Sequence, residues 1–273
     1  MPSTYAHYRM GLEVKNALNG HAVQVIEAYN DLYMIGLHGP DILFYYGALW
    51  SNPVNAVGFG LHEKSGRSFF ESACKAIERS NHKDAALAYA YGVLNHFALD
   101  TTCHKYVDEK IASSGVTHTE IEVEFDRYLM ILDGHDPVSH VLTDHIHPSL
   151  NNAEIISQFY PGITAKQIET SLKSMISYNK LLLAKSAFKK ELIYTLLKLT
   201  GNYKEMHGLI VNPDGNPVCA DSNQKLKELY EQAKTRAVAF IDAFGGNINE
   251  NVPFDSIFDY DFGGRLKSIE GIK

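Results

Sequence analysis

The amino-acid sequence predicts an all-α protein, and three observations support this prediction. Apolar residues recur at helical spacing from Tyr5 to Asn30, and the stretch from Thr164 to Thr200 is strongly helical over more than one helix. The segment from Ala85 to Ala112 is apolar nearly all round, which is typical of a buried central helix. Strand signals are confined to one short stretch, a small β-hairpin predicted near residues 207–219.

The composition is that of an ordinary globular protein of 273 residues, with 45% hydrophobic and 21% charged side chains. No linker rich in Pro, Ser or Gly divides the chain, so we expect residues 1–273 to form a single domain. The formal charge is −7, and the basic residues are scattered rather than gathered in a stripe. This pattern argues against stable nucleic-acid binding.

The three cysteines, Cys74, Cys103 and Cys219, lie far apart without a CxxC motif. We therefore expect reduced thiols rather than disulfides or a thiolate zinc site. The N-terminal sequence shows no basic region followed by an apolar one, and no run of about 18 uncharged apolar residues occurs. These features predict a cytoplasmic protein without a transmembrane segment, and they leave its oligomeric state open.

Glycine and proline signals divide the first part of the chain into helices. Asn19-Gly20 separates two N-terminal helices, and Gly39-Pro40 ends the next helix and presents Asp41 to the segment that follows. We expect a loop from Ser51 to Gly60, with His62 just beyond it. In chain order, the later predicted elements are a helix at Ser68–Arg79, the long helix ending at Ser113-Ser114-Gly115, a helix at Thr117–Leu132, a solvated histidine-rich loop at Asp133–His147, the helices of Thr164–Thr200, a hairpin around Pro213-Asp214-Gly215 and a last helix at Ser222–Phe244.

The long helix carries three potential metal ligands at four-residue intervals, His96, Asp100 and His104. Residues four apart share a helix face, so each adjacent pair can point at one ion. His96 and His104 lie about 12 Å apart along the helix axis, which is too far for both to bind one zinc ion. The helix therefore predicts two ions rather than one.

The next helix repeats this spacing with His118 and Glu122. If the two helices pack antiparallel, this pair lies near His104. The three residues then complete a site of two imidazoles and one carboxylate. Such a site leaves a position open for water, as expected of a catalytic zinc ion.

The other ion would take His96 and Asp100, with Asp41 and His62 as the remaining donors. Asp100 could also be shared with His7. Burying the carboxylate of Asp100 without a cation would cost several kcal/mol or force its protonation. This cost favours metal binding over a purely structural role.

These residues resemble the zinc-dependent phospholipase C family of bacteria, whose α-helical fold is shared with fungal zinc nucleases that act on single strands. The resemblance rests on the motif His96-x3-Asp100-x3-His104-x13-His118-x3-Glu122, preceded by Gly39-Pro40-Asp41 and by His7. It extends from the N-terminus to roughly Asp126. It implies a single-domain multi-helix bundle of that type, and we expect no appended membrane-binding β-sandwich.

The resemblance also implies a trinuclear zinc site. One zinc would be held by Asp41, His62, His96 and Asp100, a second by His104, His118 and Glu122, and a third by His7, Asp100 and the terminal amine. The family uses an N-terminal Trp at the third site, whereas here removal of Met1 would expose the amine of Pro2. We therefore expect two zinc ions, with a third dependent on that amine, and His38 competes with His62 as a ligand.

The function implied by the resemblance is zinc-dependent hydrolysis of phosphodiesters. A zinc-bound water would attack phosphorus, with Asp41 as general base or water-orienting group, or a hydroxide bridging the metal ions would be the nucleophile. The substrate would be a small phosphodiester or a phospholipid head group. Two alternatives stay open, a nuclease-like phosphodiesterase and a non-catalytic zinc-binding protein of the same fold.

Overall fold

The computed structural model describes residues 4–201, 203–249 and 252–267. Within these residues the chain forms twelve α-helices and four short 3-10 segments, and no β-sheet is present. Two isolated bridges, Ser65 with Asp261 and Tyr260 with Leu266, are the strand-like pairings described. The prediction of an all-α fold is confirmed.

The helices follow one another with short connections. Their bounds are α1 Thr4–Ala17, α2 His21–Ala28, α3 Asn30–Gly36, α4 Pro53–His62, α5 Gly66–Arg79, α6 Lys83–Ser114, α7 His118–Leu132, α8 Leu150–Ser157, α9 Ala165–Leu182, α10 Ala187–Leu199, α11 Tyr203–Met206 and α12 Ala220–Asn249. The 3-10 segments are Gly39–Tyr45, His207–Leu209, Pro217–Cys219 and Ser256–Asp259. No helix in the described part of the chain is both long and apolar enough to cross a bilayer.

Helix α6 lies at the centre of the molecule, and almost every side chain from Ala85 to Thr101 is buried. Helices α3 and α12 make the most extensive contacts with it, and α1, α2, α5 and α7 pack around it. This arrangement confirms the prediction of a central buried helix, because a helix that is apolar all round needs cover on every side.

The close approach of α3 to α6 depends on two glycines. A Cβ atom on Gly92 would lie 2.3 Å from the carbonyl oxygen of Tyr33 and 2.7 Å from Cα of Gly36. A Cβ atom on Gly36 would lie 2.4 Å from the carbonyl oxygen of Tyr89. The two backbones therefore meet without a side chain between them. This contact holds the segment after α3, with Asp41, beside the turn of α6 that carries His96.

The prediction of a loop from Ser51 to Gly60 is wrong, because α4 occupies most of this segment. Asn52 caps the helix: its side-chain oxygen accepts from backbone N–H groups of the first turn, and the Asn55 side chain accepts from the backbone N–H of Asn52. Pro53 occupies the first helical position, where its missing N–H costs nothing. The helix ends with His62 as its last residue.

The hairpin predicted at residues 207–219 is also wrong, because this segment contains two 3-10 turns and no strand. Arg127 of α7 donates hydrogen bonds to the carbonyl oxygens of Asn212 and Pro213, at 2.9 and 2.6 Å. These carbonyl groups therefore bond to a side chain instead of an opposing strand.

The other predicted helices are confirmed with small shifts at their ends. Helix α7 starts at His118 because Thr117 caps it, with Glu120 completing a capping box. Helix α6 ends where Gly115 adopts a φ of 72°, a conformation that favours glycine. Helix α8 was not predicted from the sequence.

The tail after α12 returns to the core of the bundle. Phe258 and Phe262 are buried, and their rings lie 5.2 and 5.1 Å from the ring of Phe97 on α6, measured between centroids. Aromatic packing of this kind fixes the tail against α6. It brings the backbone of Phe262 beside the turn of α6 that carries His104.

The Gly92 contact predicts a stability change. We expect Gly92→Ala to lower the free energy of unfolding by about 1–3 kcal/mol, because the new methyl group would meet backbone atoms that cannot move away. Gly245→Ala in α12 is the matched control, because its Cβ would meet no atom of the described residues within 4 Å. That variant should gain up to about 1 kcal/mol from helix propensity. Urea unfolding followed by circular dichroism measures both, and equal stabilities would contradict the packing argument.

Candidate metal centre

The eight residues predicted as metal ligands lie in three adjoining groups. The groups are His7, His96 and Asp100; Asp41, His62 and His96; and His104, His118 and Glu122. Within each group, one potential ligand atom per residue lies within 4.8 Å of the others. His96 belongs to two groups, so these two share a side chain.

Five elements supply these side chains. His7 comes from the first turn of α1, Asp41 from the 3-10 segment after α3, His62 from the end of α4, His96, Asp100 and His104 from α6, and His118 and Glu122 from the start of α7. Only the ligands on α6 and α7 share a helix face at four-residue spacing. The packing of α1, α4 and the 3-10 segment onto α6 positions the rest.

Asp100 is the buried carboxylate at the middle of the site. Its Oδ1 atom lies 3.2 Å from Nε2 of His7, and its Oδ2 atom lies 3.2 Å from Nε2 of His96 and 4.0 Å from Nδ1 of His104. The rings of His7 and His96 stack with their centroids 4.4 Å apart. Asp100 therefore faces three imidazoles at once.

Asp41 faces the next pair of imidazoles. Its Oδ1 atom lies 2.8 Å from Nε2 of His62, and its Oδ2 atom lies 3.9 Å from Nε2 of His96. Gly39 allows this arrangement, because its φ is +48° and a Cβ atom there would lie 2.5 Å from Cδ2 of His96. The glycine lets the 3-10 backbone rest directly against the His96 ring.

Glu122 contacts both histidines of the third group. Its Oε1 atom lies 2.8 Å from Nε2 of His118 and 3.2 Å from Nε2 of His104. The His118 side chain is 35% exposed, more than any other of the eight. This group therefore lies, together with His62, on the side of the centre that solvent reaches.

Backbone carbonyl groups orient two of the imidazoles. Nδ1 of His104 lies 2.7 Å from the carbonyl oxygen of Phe262, and Nδ1 of His62 lies 2.8 Å from that of Gly58. A carbonyl oxygen only accepts, so each Nδ1–H is the donor. Nε2 is then left to face the carboxylates, which is the usual arrangement around a metal-binding histidine.

Sequence reasoning did not identify Phe262, which lies 158 residues from His104 along the chain. It also did not assign a role to Asp126, one turn beyond Glu122 on α7. The Asp126 carboxylate accepts hydrogen bonds from the backbone N–H groups of Tyr5 and Ala6, at 2.9 and 2.7 Å. It therefore holds the first turn of α1 and positions His7. The four-residue spacing after Glu122 was the available signal.

The unpaired atoms of the centre fit a bound cation. Both carboxylate oxygens of Asp41, Oδ2 of Asp100 and Oε2 of Glu122 are buried without hydrogen-bond geometry to any described group. No Lys or Arg of the described residues forms an ion pair with these three carboxylates. Buried carboxylate oxygens without hydrogen bonds are costly, and a metal ion between them and the facing imidazoles would supply the missing interaction. Imidazole nitrogen with carboxylate oxygen is a donor set that suits zinc.

The charges of Glu122 and His104 depend on each other. Burial opposes ionisation of Glu122, but His118 and His104 hold the pKa of its carboxyl well below the usual range. Burial also opposes protonation of His104, but Asp100 and Glu122 raise the pKa of its imidazole to about 10. His104 therefore carries a proton at neutral pH until a metal ion displaces it.

His38 is the predicted alternative to His62 as a metal ligand, and it lies outside the three groups. Its Nε2 atom is 2.8 Å from Nε2 of His145, and the His145 ring stacks on Tyr8 with centroids 4.3 Å apart. In the histidine-rich loop, the His147 side chain is exposed, whereas His145 is half-buried. Burial lowers the pKa of the His145 imidazole to about 3. No residue of this loop joins the groups in the described part of the chain. The terminal amine and Pro2 lie outside the described residues.

Comparison with known proteins gives one finding. The family model described as zinc dependent phospholipase C matches residues 6–173, more than half of the chain and a range that contains all eight residues. Comparisons with curated proteins and with solved structures give no significant match.

The contact between Gly39 and His96 predicts an effect on metal content. We expect Gly39→Ala to lower zinc per chain, because its methyl group would displace the His96 ring. Gly134→Ala is the matched control, since its φ is +77° but no atom of the described residues lies within 4 Å of the new Cβ. It should lose about 1–2 kcal/mol of stability and keep its zinc. Elemental analysis of both variants tests this, and equal zinc contents would contradict it.

The raised pKa of His104 predicts a pH dependence of zinc binding. Zinc must displace the proton on this imidazole, so affinity of the metal-free protein should rise by up to about tenfold per pH unit between about pH 6 and pH 8. Competition with a zinc-selective dye measures the affinity. His104→Gln should flatten the slope, whereas His147→Gln, outside the three groups, should not change it. An unaltered slope in the His104 variant would assign the proton to another residue.

Proposed function

The chain belongs to the zinc-dependent phospholipase C family, and from this premise we propose that it hydrolyses phosphodiester bonds with zinc ions held by the three groups of side chains. The observation that carries the proposal is the set of buried carboxylate oxygens without hydrogen bonds, each on a residue that faces at least one imidazole. A non-catalytic core would be expected to satisfy such oxygens with protein donors.

The ligand assignment keeps the group of His104, His118 and Glu122, and it divides the two groups that share His96 between two ions. We assign Asp41, His62, His96 and Asp100 to one zinc ion, His104, His118 and Glu122 to a second, and His7 with Asp100 to a third. Two ions are the expected content. The third needs the terminal amine as a further ligand.

Bound zinc ions would polarise the phosphate oxygens and lower the pKa of a coordinated water molecule towards neutrality. Their positive charge also explains how a chain of formal charge −7 attracts an anionic ester into this centre. The half-buried imidazoles of His62, His104 and His118 form the accessible side, where the ester would enter.

The proposed reaction is attack by water on phosphorus. A bond forms between the water oxygen and phosphorus, and the ester bond from phosphorus to the leaving alcohol breaks. Asp41 orients the water and accepts its proton, and a proton returns to the leaving alkoxide. Asp41 suits this role because its carboxylate is buried and has no donor from Lys or Arg among the described residues.

The family implies a lipid-type substrate, and we propose a phospholipid head group or a small phosphodiester of similar chemistry. The exposed rings of Trp50 and Phe59, which line a groove beside the metal centre, make a single-strand nuclease the second candidate. The cytoplasmic location expected from the sequence stays a prediction.

The decisive experiment is hydrolysis of a chromogenic phosphocholine ester by zinc-loaded protein, compared with single-stranded DNA as substrate. We expect Asp41→Asn to lower kcat by about 10²–10⁴-fold while zinc per chain falls less. Asp31→Asn, an exposed aspartate beside His147, should leave both unchanged. Chelation should abolish activity and zinc should restore it.

Three results would each contradict a part of the proposal. Wild-type turnover in Asp41→Asn would remove this residue from the reaction. Hydrolysis of DNA alone would favour the nuclease. Two firmly bound zinc ions without hydrolysis of any phosphodiester would favour the non-catalytic alternative.

A further inference from the structure

The most exposed large apolar side chains of the described residues lie on or beside one helix, α10. Phe188 is 81% exposed, Leu199 is 79% exposed and Trp50, in the neighbouring groove, is 68% exposed. Exposed apolar residues scattered singly need no explanation, but a contiguous patch indicates an interaction surface.

The exposed apolar residues of α10 form one stripe. Viewed down the helix axis, an arc of about 80° contains Phe188, Leu192, Leu196 and Leu199. Each of these side chains is at least half exposed. Ile193 and Leu197 are buried instead, in a small cluster with Ile210. The helix is therefore apolar on two faces, and among the described residues only the face with Ile193 and Leu197 packs in an apolar cluster.

The stripe continues into a groove that lies beside the metal centre. This cavity has a volume of about 650 Å³ and is lined mainly by apolar side chains, among them Leu196, Trp50 and Phe59. Phe44 also lines the cavity, and its ring lies 5.1 Å from the His62 ring, measured between centroids. Thr119, next to His118, lines the same cavity.

The charge around this stripe is opposite to that of the molecule. Residues 180–200 contain five lysines and one glutamate, a formal charge of +4 in a chain of −7. None of the five, Lys180, Lys185, Lys189, Lys190 and Lys198, forms an ion pair with a carboxylate of the described residues. A helix with an apolar face and flanking lysines is suited to the surface of an anionic lipid bilayer.

We propose that the α10 face, defined as Trp50, Phe59, Leu181, Phe188, Leu192, Leu196 and Leu199, docks on an anionic lipid bilayer and aligns the groove with lipid leaving the membrane. The groove would receive the acyl chains while the phosphate reaches the metal centre. Helix α10 lies outside residues 6–173, whereas Trp50 and Phe59 lie within the family match, so the proposed surface joins both parts of the chain. The role of the groove rests on the proposed function, whereas the docking does not.

Vesicle binding tests the docking directly. The protein is zinc-loaded Asp41→Asn, so that lipid is not consumed, and the vesicles are phosphatidylcholine alone or mixed with phosphatidylglycerol. Trp50 is the single tryptophan, so its fluorescence reports on this surface alone. We expect co-sedimentation with the mixed vesicles, a blue shift of the Trp50 emission, and weaker binding at high salt.

Surface variants give the matched comparisons. Phe188→Ser with Leu199→Ser should weaken binding about tenfold or more, whereas Leu150→Ser with Leu266→Ser, at exposed apolar sites elsewhere, should not. Lys185→Glu with Lys198→Glu should remove the preference for anionic vesicles. Lys225→Glu with Lys227→Glu, the same charge change on α12, should retain it.

The outcomes separate docking from catalysis. Built on the wild-type chain, the surface variants should hydrolyse the soluble phosphocholine ester at the normal rate, while their hydrolysis of vesicle lipid falls with binding. Absence of vesicle binding, or equal binding by all variants, would overturn the docking and leave the hydrolase proposal intact. Concentration-dependent dimerisation that Phe188→Ser with Leu199→Ser abolishes would overturn it too, because a second copy would then cover the face. Vesicle binding without hydrolysis of any ester would support docking and remove the hydrolase.

Discussion

The burial of three carboxylates, Asp41, Asp100 and Glu122, inside an apolar helical bundle is the constraint on which the rest of the structure depends. Each charge would cost several kcal/mol if it were buried without a partner. Among the described residues, imidazoles rather than Lys or Arg side chains face these oxygens. Imidazoles are short, so the elements that carry them must pack closely around α6.

Several features of the fold follow from this need for close packing. Gly36 and Gly92 let α3 touch α6 through backbone atoms, and Gly39 lets the next turn rest on the His96 ring. Phe262 anchors the tail on α6 and offers its carbonyl oxygen to His104. Asp126 holds α1 in a similar way, because its carboxylate accepts hydrogen bonds from two backbone N–H groups near His7. Apolar packing and ligand orientation are thus produced by the same residues.

The surroundings of the centre change from polar to apolar over a short distance. His62, His104 and His118 form its half-buried side, and the Phe44 ring beside His62 begins an apolar groove. A ligand with an anionic phosphate and an apolar chain matches this change in polarity along its own length. The cationic α10 segment lines the same groove, so the molecule is anionic overall but presents a locally basic, apolar surface there.

The sequence by itself determined most of the helices and the candidate ligands that share one helix, because these depend on contacts three or four residues apart. His96, Asp100 and His104 on α6, and His118 with Glu122 on α7, could be predicted from spacing alone. The position of His62, rather than His38, beside Asp41 could not be predicted in this way, because it depends on α4, a helix capped by Asn52 where the sequence pattern predicts a loop. The hairpin near residue 213 failed for a related reason, since Arg127 binds carbonyl groups that a strand would have used. Tertiary structure alone decided the roles of Phe262 and Asp126, which act on residues 158 and about 120 positions away. The spacing of Asp126 after Glu122 marks the residue but does not identify its partner, because chain packing rather than local geometry brings the two together.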